Sequence, residues 1–101
     1  MIQVTVESHK KRLKSLVVTG HAQSADQGQD LVCAGVSCIV FGGCNAIDTL
    51  KCGRYHKLTD LIEIVSGNEK GSDILTVLLI QLQTVAEEYP HYVQITYKEV
   101  Q

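Results

Sequence analysis

Residues 31–50 have the sequence LVCAGVSCIVFGGCNAIDTL, and this stretch decides the fold. Apolar and small side chains recur in it every three or four residues, which is the spacing of one face of an α-helix. The stripe consists of Val32, Val36, Ile39, Gly43, Ile47 and Leu50. Glycine inside a helix costs about 1 kcal/mol relative to alanine. Gly35, Gly42 and Gly43 therefore predict close approach to a sheet or a second helix, or a kink at the last two. Gly53 is predicted to end the helix.

The segments on either side of this helix predict strands and one further helix. Alternating residues at 2–7 and the apolar run 13–19 predict two strands of a hairpin, joined by the charged turn at 9–12. Further along, 61–65 and 92–100 are predicted strands, and 54–60 is a connection that could hold a short one. The second helix is predicted to be capped by Ser72, to be stopped by Pro90 and to bury Leu75, Leu78, Leu79, Leu82, Val85, Ala86 and Tyr89.

This order, β-β-α-β-α-β, predicts an α+β fold in which two helices lie on one side of a mostly antiparallel sheet of four or five strands. Residues 1–101 are expected to form a single domain. The apolar content of 45% suits a compact core, and the net charge of −2 predicts no direct binding of nucleic acid. The N-terminus resembles a strand rather than a signal peptide, and no apolar run approaches the roughly 20 residues of a membrane helix. A cytoplasmic protein with no membrane contact is therefore expected.

The four cysteines fit neither a disulfide framework nor a zinc site, so no metal or other cofactor is expected. Cys38, Cys44 and Cys52 are interpreted as small buried or half-buried hydrophobic residues. Cys33 differs because His21 lies twelve residues before it, and a thiol needs a base or a positive field to become a nucleophilic thiolate. This pair predicts a cysteine nucleophile with a histidine partner.

Asp30 and Ser37 are predicted to support the pair. With Asp30 as the N-cap, Cys33 would be the third helical residue, where first-turn N–H groups favour a thiolate and a forming oxyanion. Asp30 would then either cap the helix or orient His21, with Asp26 a weaker candidate for orientation. Ser37 lies one turn after Cys33 and either reaches the same contacts or bonds back to a carbonyl of the first turn. Cys33 is expected on the flank of the apolar stripe, where a side chain can line a cleft.

The run Gly20-His21-Ala22, then Gly28, then 30–37 (DLVCAGVS), resembles the signature of the ribosomal-processing cysteine proteases, the Prp family of bacteria. The resemblance implies that Cys33 is the nucleophile and His21 its base. It implies as substrate the precursor of a large-subunit ribosomal protein with a short N-terminal extension. It also implies a homodimer with a mobile substrate loop between the catalytic residues. That loop comprises Ala22, Gln23, Ser24, Ala25, Asp26, Gln27, Gly28 and Gln29.

Two other hypotheses remain at this stage. The first is a non-enzymatic ribosome-associated binding domain, in which Cys33 only packs and the basic hairpin at 9–14 makes the contacts. The second is a thiol redox sensor that pairs Cys33 with Cys38 or Cys44. Residues five apart on a helix point about 140° away from each other, which disfavours the sensor.

Overall fold

The computed structural model describes residues 1–20 and 27–101, and for 27–30 it describes the backbone alone. It contains five strands and two helices. They are β1 (Ile2–His9), β2 (Arg12–Thr19), α1 (Gln27–Leu50), β3 (Gly53–Lys57), β4 (Leu61–Ser66), α2 (Glu69–Glu88) and β5 (Val93–Glu99). The predicted α+β class is confirmed. The order is β-β-α-β-β-α-β, because the connection that could hold a short strand does form one, β3.

The five strands form one sheet in the order β3-β4-β2-β1-β5. The predicted hairpin of β1 and β2 is present, with Val6 opposite Leu16. Its two-residue turn places Lys10 and Lys11 at φ 51° and 67°, where hairpins usually carry asparagine and glycine. All pairs are antiparallel except β1 with β5, which run parallel with Ile2 beside Val93. Parallel strands need a crossover, and α2 supplies the one that leads from β4 to β5.

The core lies between the two helices and one face of the sheet. Alternate strand residues point to that face because successive side chains of a strand point to opposite sides. The buried strand residues on it are Ile2, Val4, Val6, Leu16, Ile64 and Val93. Residues such as Gln3 and Gln94 occupy the opposite face, where they are exposed. The helices therefore cover one side of the sheet, as the alternation predicts.

The stripe of α1 that packs on the sheet differs slightly from the predicted one. Its buried members are Val32, Val36, Val40, Cys44 and Ile47. Leu50 is 44% exposed because it lies at the last residue of the helix. By length and composition alone, Leu31–Leu50 could also cross a bilayer, with a mean hydropathy of 1.7. The expectation that no segment approaches that length is thus wrong, although a helix whose stripe covers a sheet passes the same test.

The C-terminus of α1 is closed by paired backbone hydrogen bonds. The N–H of Cys52 donates to the carbonyl of Ile47, and that of Lys51 donates to Asp48, both at 3.2 Å. This is a Schellman motif, in which the left-handed residue is usually glycine. Here it is Lys51, at φ 53°. Gly53 does not end the helix as predicted but begins β3, where an added Cβ would overlap the carbonyl of Val65.

The N-terminus of α2 is capped by Asn68 rather than by Ser72. Asn68 is extended, and its Oδ1 accepts from the N–H of Gly71 at 3.0 Å. Ser72 instead lies inside the helix, where its hydroxyl donates to the carbonyl of Leu13 at 2.7 Å. Both residue types are good caps. The contact with β2 decides between them.

The two helices meet at Gly43, as the glycine pattern predicts for one of its three positions. A Cβ at Gly43 would overlap Cδ1 of Leu78 on α2, whereas nothing lies within 4 Å of a Cβ at Gly35 or Gly42. The helix α1 is continuous through both residues of the predicted kink. Only Gly43 is therefore required by packing.

Gly43→Ala and its neighbour Gly42→Ala should change stability in opposite directions. Alanine at 42 meets open space, so its better helix propensity should stabilise the protein by up to about 1 kcal/mol. Alanine at 43 overlaps the buried Leu78, and overpacking of this kind costs about 1–3 kcal/mol, which exceeds the propensity gain. Urea unfolding of the two variants measures both effects. Equal free energies of unfolding for the two variants would contradict the close contact between Gly43 and Leu78.

Lys51→Gly should stabilise the protein by up to about 1 kcal/mol. A non-glycine residue in the left-handed region costs about 1–2 kcal/mol, part of which the greater chain entropy of unfolded glycine offsets. Lys51→Ala is the matched control, since it removes the charge and keeps a Cβ in the same backbone conformation. Thermal unfolding should rank glycine above alanine, and the reverse order would contradict a left-handed residue at this position.

Candidate active site

Cys33 lies on α1, on the flank of the buried stripe as predicted. Its side chain is half-buried and packs against the core between the fully buried Val32 and Val36. These neighbours fix the rotation of the helix, so the direction of the Cys33 side chain is set by core packing rather than by a loop. Groups held on rigid elements are positioned more precisely than groups on loops.

The helix begins at Gln27, four residues before the predicted start. Asp30 is therefore inside the first turn, and its predicted position as the N-cap is wrong. The side chain of Asp30 is not described, so whether it orients His21 stays a prediction.

The earlier start also changes the surroundings of Cys33. Cys33 is the seventh residue of α1 rather than the third. Only the first four N–H groups of a helix lack a partner within the helix, and the dipole effect falls off beyond the first turn. The prediction that first-turn N–H groups hold the thiolate and the oxyanion at Cys33 is therefore wrong. For Cys33 to act as a nucleophile, a group other than these N–H groups, such as the predicted base His21, would have to activate its thiol.

His21, the predicted base, lies outside the described residues, as do Asp26 and the loop positions Ala22, Gln23, Ser24 and Ala25. The last three residues of the predicted loop, 27–29, belong to α1. The structure describes the chain up to Gly20, at the end of β2, where φ is 85° and a Cβ would overlap the carbonyl oxygen of Met1. Glycine is thus required directly before the predicted base.

Ser37 lies one helical turn after Cys33, as its spacing predicts, and its side chain is half-buried. The structure places it on the same side of α1 as Cys33. Its predicted supporting role stays a prediction.

The other three cysteines have environments unlike that of Cys33. Cys44 and Cys52 are buried, as predicted, whereas Cys38 is exposed rather than half-buried. Burial raises the pKa of the Cys44 thiol, and the Lys57 ammonium and a backbone hydrogen bond partly oppose this rise. None of the four cysteines, all of which the structure describes, forms a disulfide, so no such bond joins Cys33 to Cys38 or Cys44.

Known proteins resemble this chain over nearly its whole length. Residues 1–94 match the family of the cysteine protease Prp. The ribosomal processing cysteine protease Prp of Bacillus subtilis is 33% identical over 110 residues, covering 95% of this chain and 96% of the relative. The Prp protease of S. aureus, crystallised with a substrate peptide, superimposes with a TM-score of 0.83 at 32% identity, covering 97% of this chain and all of that one. A second structure of it, with a covalently linked product peptide, gives 0.82 at 33% identity and the same coverage.

Alkylation by iodoacetamide should separate Cys33 from the other thiols. On exposure alone, Cys38 would react first and the buried Cys44 and Cys52 last. If His21 converts Cys33 to a thiolate, Cys33 should react faster than Cys38 near neutral pH, because the thiolate is the reactive form. Mass spectrometry of digested protein gives the rate at each site.

The variant His21→Ala should slow alkylation of Cys33 and leave the rate at Cys38 unchanged. The rate at Cys38 thus shows whether the variant is folded and whether the reagent is equally active in both samples. A Cys33 rate below that of Cys38 in the wild type, and insensitive to His21, would contradict the predicted pair.

Proposed function

The chain belongs to the Prp family of cysteine proteases, and from this membership we propose that it removes the N-terminal extension of a large-subunit ribosomal protein precursor. Cys33 is the nucleophile and His21 the base. The observation that carries this proposal is the position of Cys33 on α1, half-buried beside the core stripe. The cysteine protease activity itself disfavours the hypothesis of a non-enzymatic binding domain.

The first half of the proposed reaction forms a thioester. His21 takes the proton of the Cys33 thiol, and Sγ attacks the carbonyl carbon of the scissile peptide bond. The tetrahedral intermediate collapses when the carbon–nitrogen bond breaks and the leaving amine takes the proton from His21. The N-terminal extension then remains on Sγ as a thioester, and the mature ribosomal protein leaves with a new N-terminus.

The second half is hydrolysis of that thioester. His21 takes a proton from a water molecule, whose oxygen attacks the thioester carbon. The carbon–sulfur bond breaks, the extension leaves with a free carboxyl group, and the thiol regains its proton. Because Cys33 lies beyond the first turn of α1, the donors for the oxyanion are groups other than the free N–H groups of the helix start.

The substrate, the assembly and the location of the enzyme complete the proposal. The name of the B. subtilis relative specifies ribosomal processing, and the S. aureus relative was crystallised with a substrate peptide. The residues between the two catalytic groups, 22–29, contact the peptide, with Asp30 and Ser37 supporting the pair. We place the enzyme in the cytoplasm as a homodimer, with no cofactor. A ribosomal protein precursor is made in the same compartment.

A peptide that spans the extension junction of the precursor from the same organism tests the proposal. The wild type should cleave it, and Cys33→Ala should abolish cleavage because no other group can form the thioester. His21→Ala should reduce kcat/KM by about 10²–10⁴-fold, the usual contribution of a general base. Cys38→Ala, an exposed cysteine on the same helix, is the matched control and should retain activity.

The acyl intermediate gives a second readout. Rapid acid quenching during turnover should reveal, by mass spectrometry, the extension attached to the peptide that contains Cys33. Cleavage that persists in Cys33→Ala would overturn the assignment of the nucleophile. Absence of cleavage by folded wild type would overturn the substrate.

A further inference from the structure

A basic cleft lies at the hairpin end of the sheet. One wall is the β1–β2 hairpin, which contributes His9, Lys10, Arg12 and Lys14. The other wall is the junction of β4 and α2, which contributes residues 66–69 and Ser72. We call this basic cleft the hairpin cleft; its volume is about 460 Å³. Three basic side chains and one carboxylate, Glu69, line it. This is a local excess of positive charge on a chain whose net charge is −2.

Two of the three basic side chains in the hairpin cleft, those of Lys10 and Lys14, form no ion pair with a carboxylate that the structure describes. Arg12 forms an ion pair with Glu69, which is the only ion pair within 4.0 Å among residues 1–20 and 31–101. The ammonium groups of Lys10 and Lys14 are therefore not neutralised by any described carboxylate. Glu99 is close in the fold, but it accepts from the hydroxyl of Ser8 and the backbone N–H of Lys10. The cleft thus keeps a net positive charge even when both Glu69 and the nearby Glu99 are counted against Lys10, Arg12 and Lys14.

The walls of the hairpin cleft are fixed by hydrogen bonds. The hydroxyl of Ser72 donates to the carbonyl of Leu13 at 2.7 Å, and that of Ser66 to the same carbonyl at 3.1 Å. Nδ1 of His9 donates to the carbonyl of Val100 at 3.0 Å, because a carbonyl oxygen can only accept. Nε2 is then the ring nitrogen left to a ligand. The first turn of α2 adds the positive end of its dipole.

The hairpin cleft and Cys33 lie at opposite ends of α1. The carbonyl of Cys52, just past the end of α1, accepts from the N–H of Gly67 at 2.8 Å, and Gly67 lines the cleft. Cys33 lies seventeen residues before Leu50 on the same helix, which is about 25 Å at a rise of 1.5 Å per residue. A ligand in the cleft therefore leaves Cys33 accessible.

We propose that the hairpin cleft binds the phosphate backbone of RNA. This inference rests on the proposed function, since the product of the proposed reaction is a protein that assembles with RNA. Lys10 and Lys14 contact phosphate oxygens, and Arg12 is held in place by Glu69. Apart from the imidazole of His9, no ring lines the cleft, so bases have no stacking surface. Binding is consequently independent of sequence and sensitive to salt.

This proposal departs from the expectation that a net charge of −2 excludes direct binding of nucleic acid. A net charge sums over the whole surface, whereas a phosphate within about 10 Å of the cleft responds mainly to local charges, because salt screens the rest. The hairpin at 9–14, regarded in the sequence as a charged turn, supplies most of that local charge.

The test measures fluorescence anisotropy of a fluorescein-labelled 20-nucleotide poly(U) RNA with the wild type and two double variants. Lys10→Gln with Lys14→Gln should weaken binding by about tenfold or more at low salt. It should also reduce the slope of log K against log salt by about 1.4, since each lost phosphate contact in a single strand contributes about 0.7. Arg54→Gln with Lys98→Gln removes the same charge from exposed positions that do not line the cleft and is the matched control. It should bind like the wild type.

Two further measurements locate the binding site and identify the ligand that supplies the phosphate. Amide chemical shifts of the wild type on RNA addition should change at 9–14 and 66–72, without any substitution. Inorganic phosphate and anionic phospholipid vesicles, added as competitors, identify the source of the phosphate. Equal weakening in both double variants, shifts elsewhere, no binding of RNA, or complete competition by vesicles or millimolar phosphate would overturn the proposal. Peptide cleavage, assayed on the same preparations, tests the proposed function separately.

Discussion

The packing of the α1 stripe on one face of the sheet is the contact on which the rest of the structure depends. Val32, Val36, Val40 and Ile47 are almost completely buried there, and each such side chain contributes about 1.5–3 kcal/mol. The same contact fixes the rotation of α1 about its axis. Because Cys33 is one residue from Val32, the position of the candidate nucleophile follows from core packing. The candidate nucleophile thus lies directly beside the helix stripe that stabilises the fold.

A second constraint is the close approach of backbones near the end of α1. The carbonyl of Cys52 accepts from Gly67, and a Cβ at Gly71 would overlap that same carbonyl. Gly53 faces the carbonyl of Val65 in the same tight region. Glycine is required at Gly53 and Gly71 because there is no space for a Cβ, and neither residue has a left-handed backbone conformation. The junction joins α1, β3, β4 and α2, so it holds the two helices at a fixed spacing.

Much of the fold could be predicted from the sequence because periodicity reports burial. The alternation Ile2, Val4, Val6 and the stripe from Val32 to Ile47 both reflect one buried face. The strand β3 lacks such a signal, since all five of its residues are exposed and its pairing with β4 defines it. The starts of both helices differ from the prediction. Asn68 and Ser72 are both good caps for α2, and α1 begins at Gln27 rather than near Leu31. The sequence correctly predicts Cys33 on the flank of the α1 stripe. It does not predict how far Cys33 lies from the start of α1, because that distance depends on where the helix begins.

The parallel pairing of β1 with β5 has a practical consequence for anything attached to this protein. Parallel neighbours begin at the same end of a sheet, so Ile2 lies beside Val93 and Ser8 beside Glu99. The carbonyl of Met1 touches Gly20, the residue directly before His21. A tag or dye on Met1 would therefore lie next to Gly20, the neighbour of the candidate base His21, whereas one attached to Gln101 would lie at the other end of the sheet, beside the hairpin. Immobilisation through either terminus would thus present opposite ends of the molecule to solution.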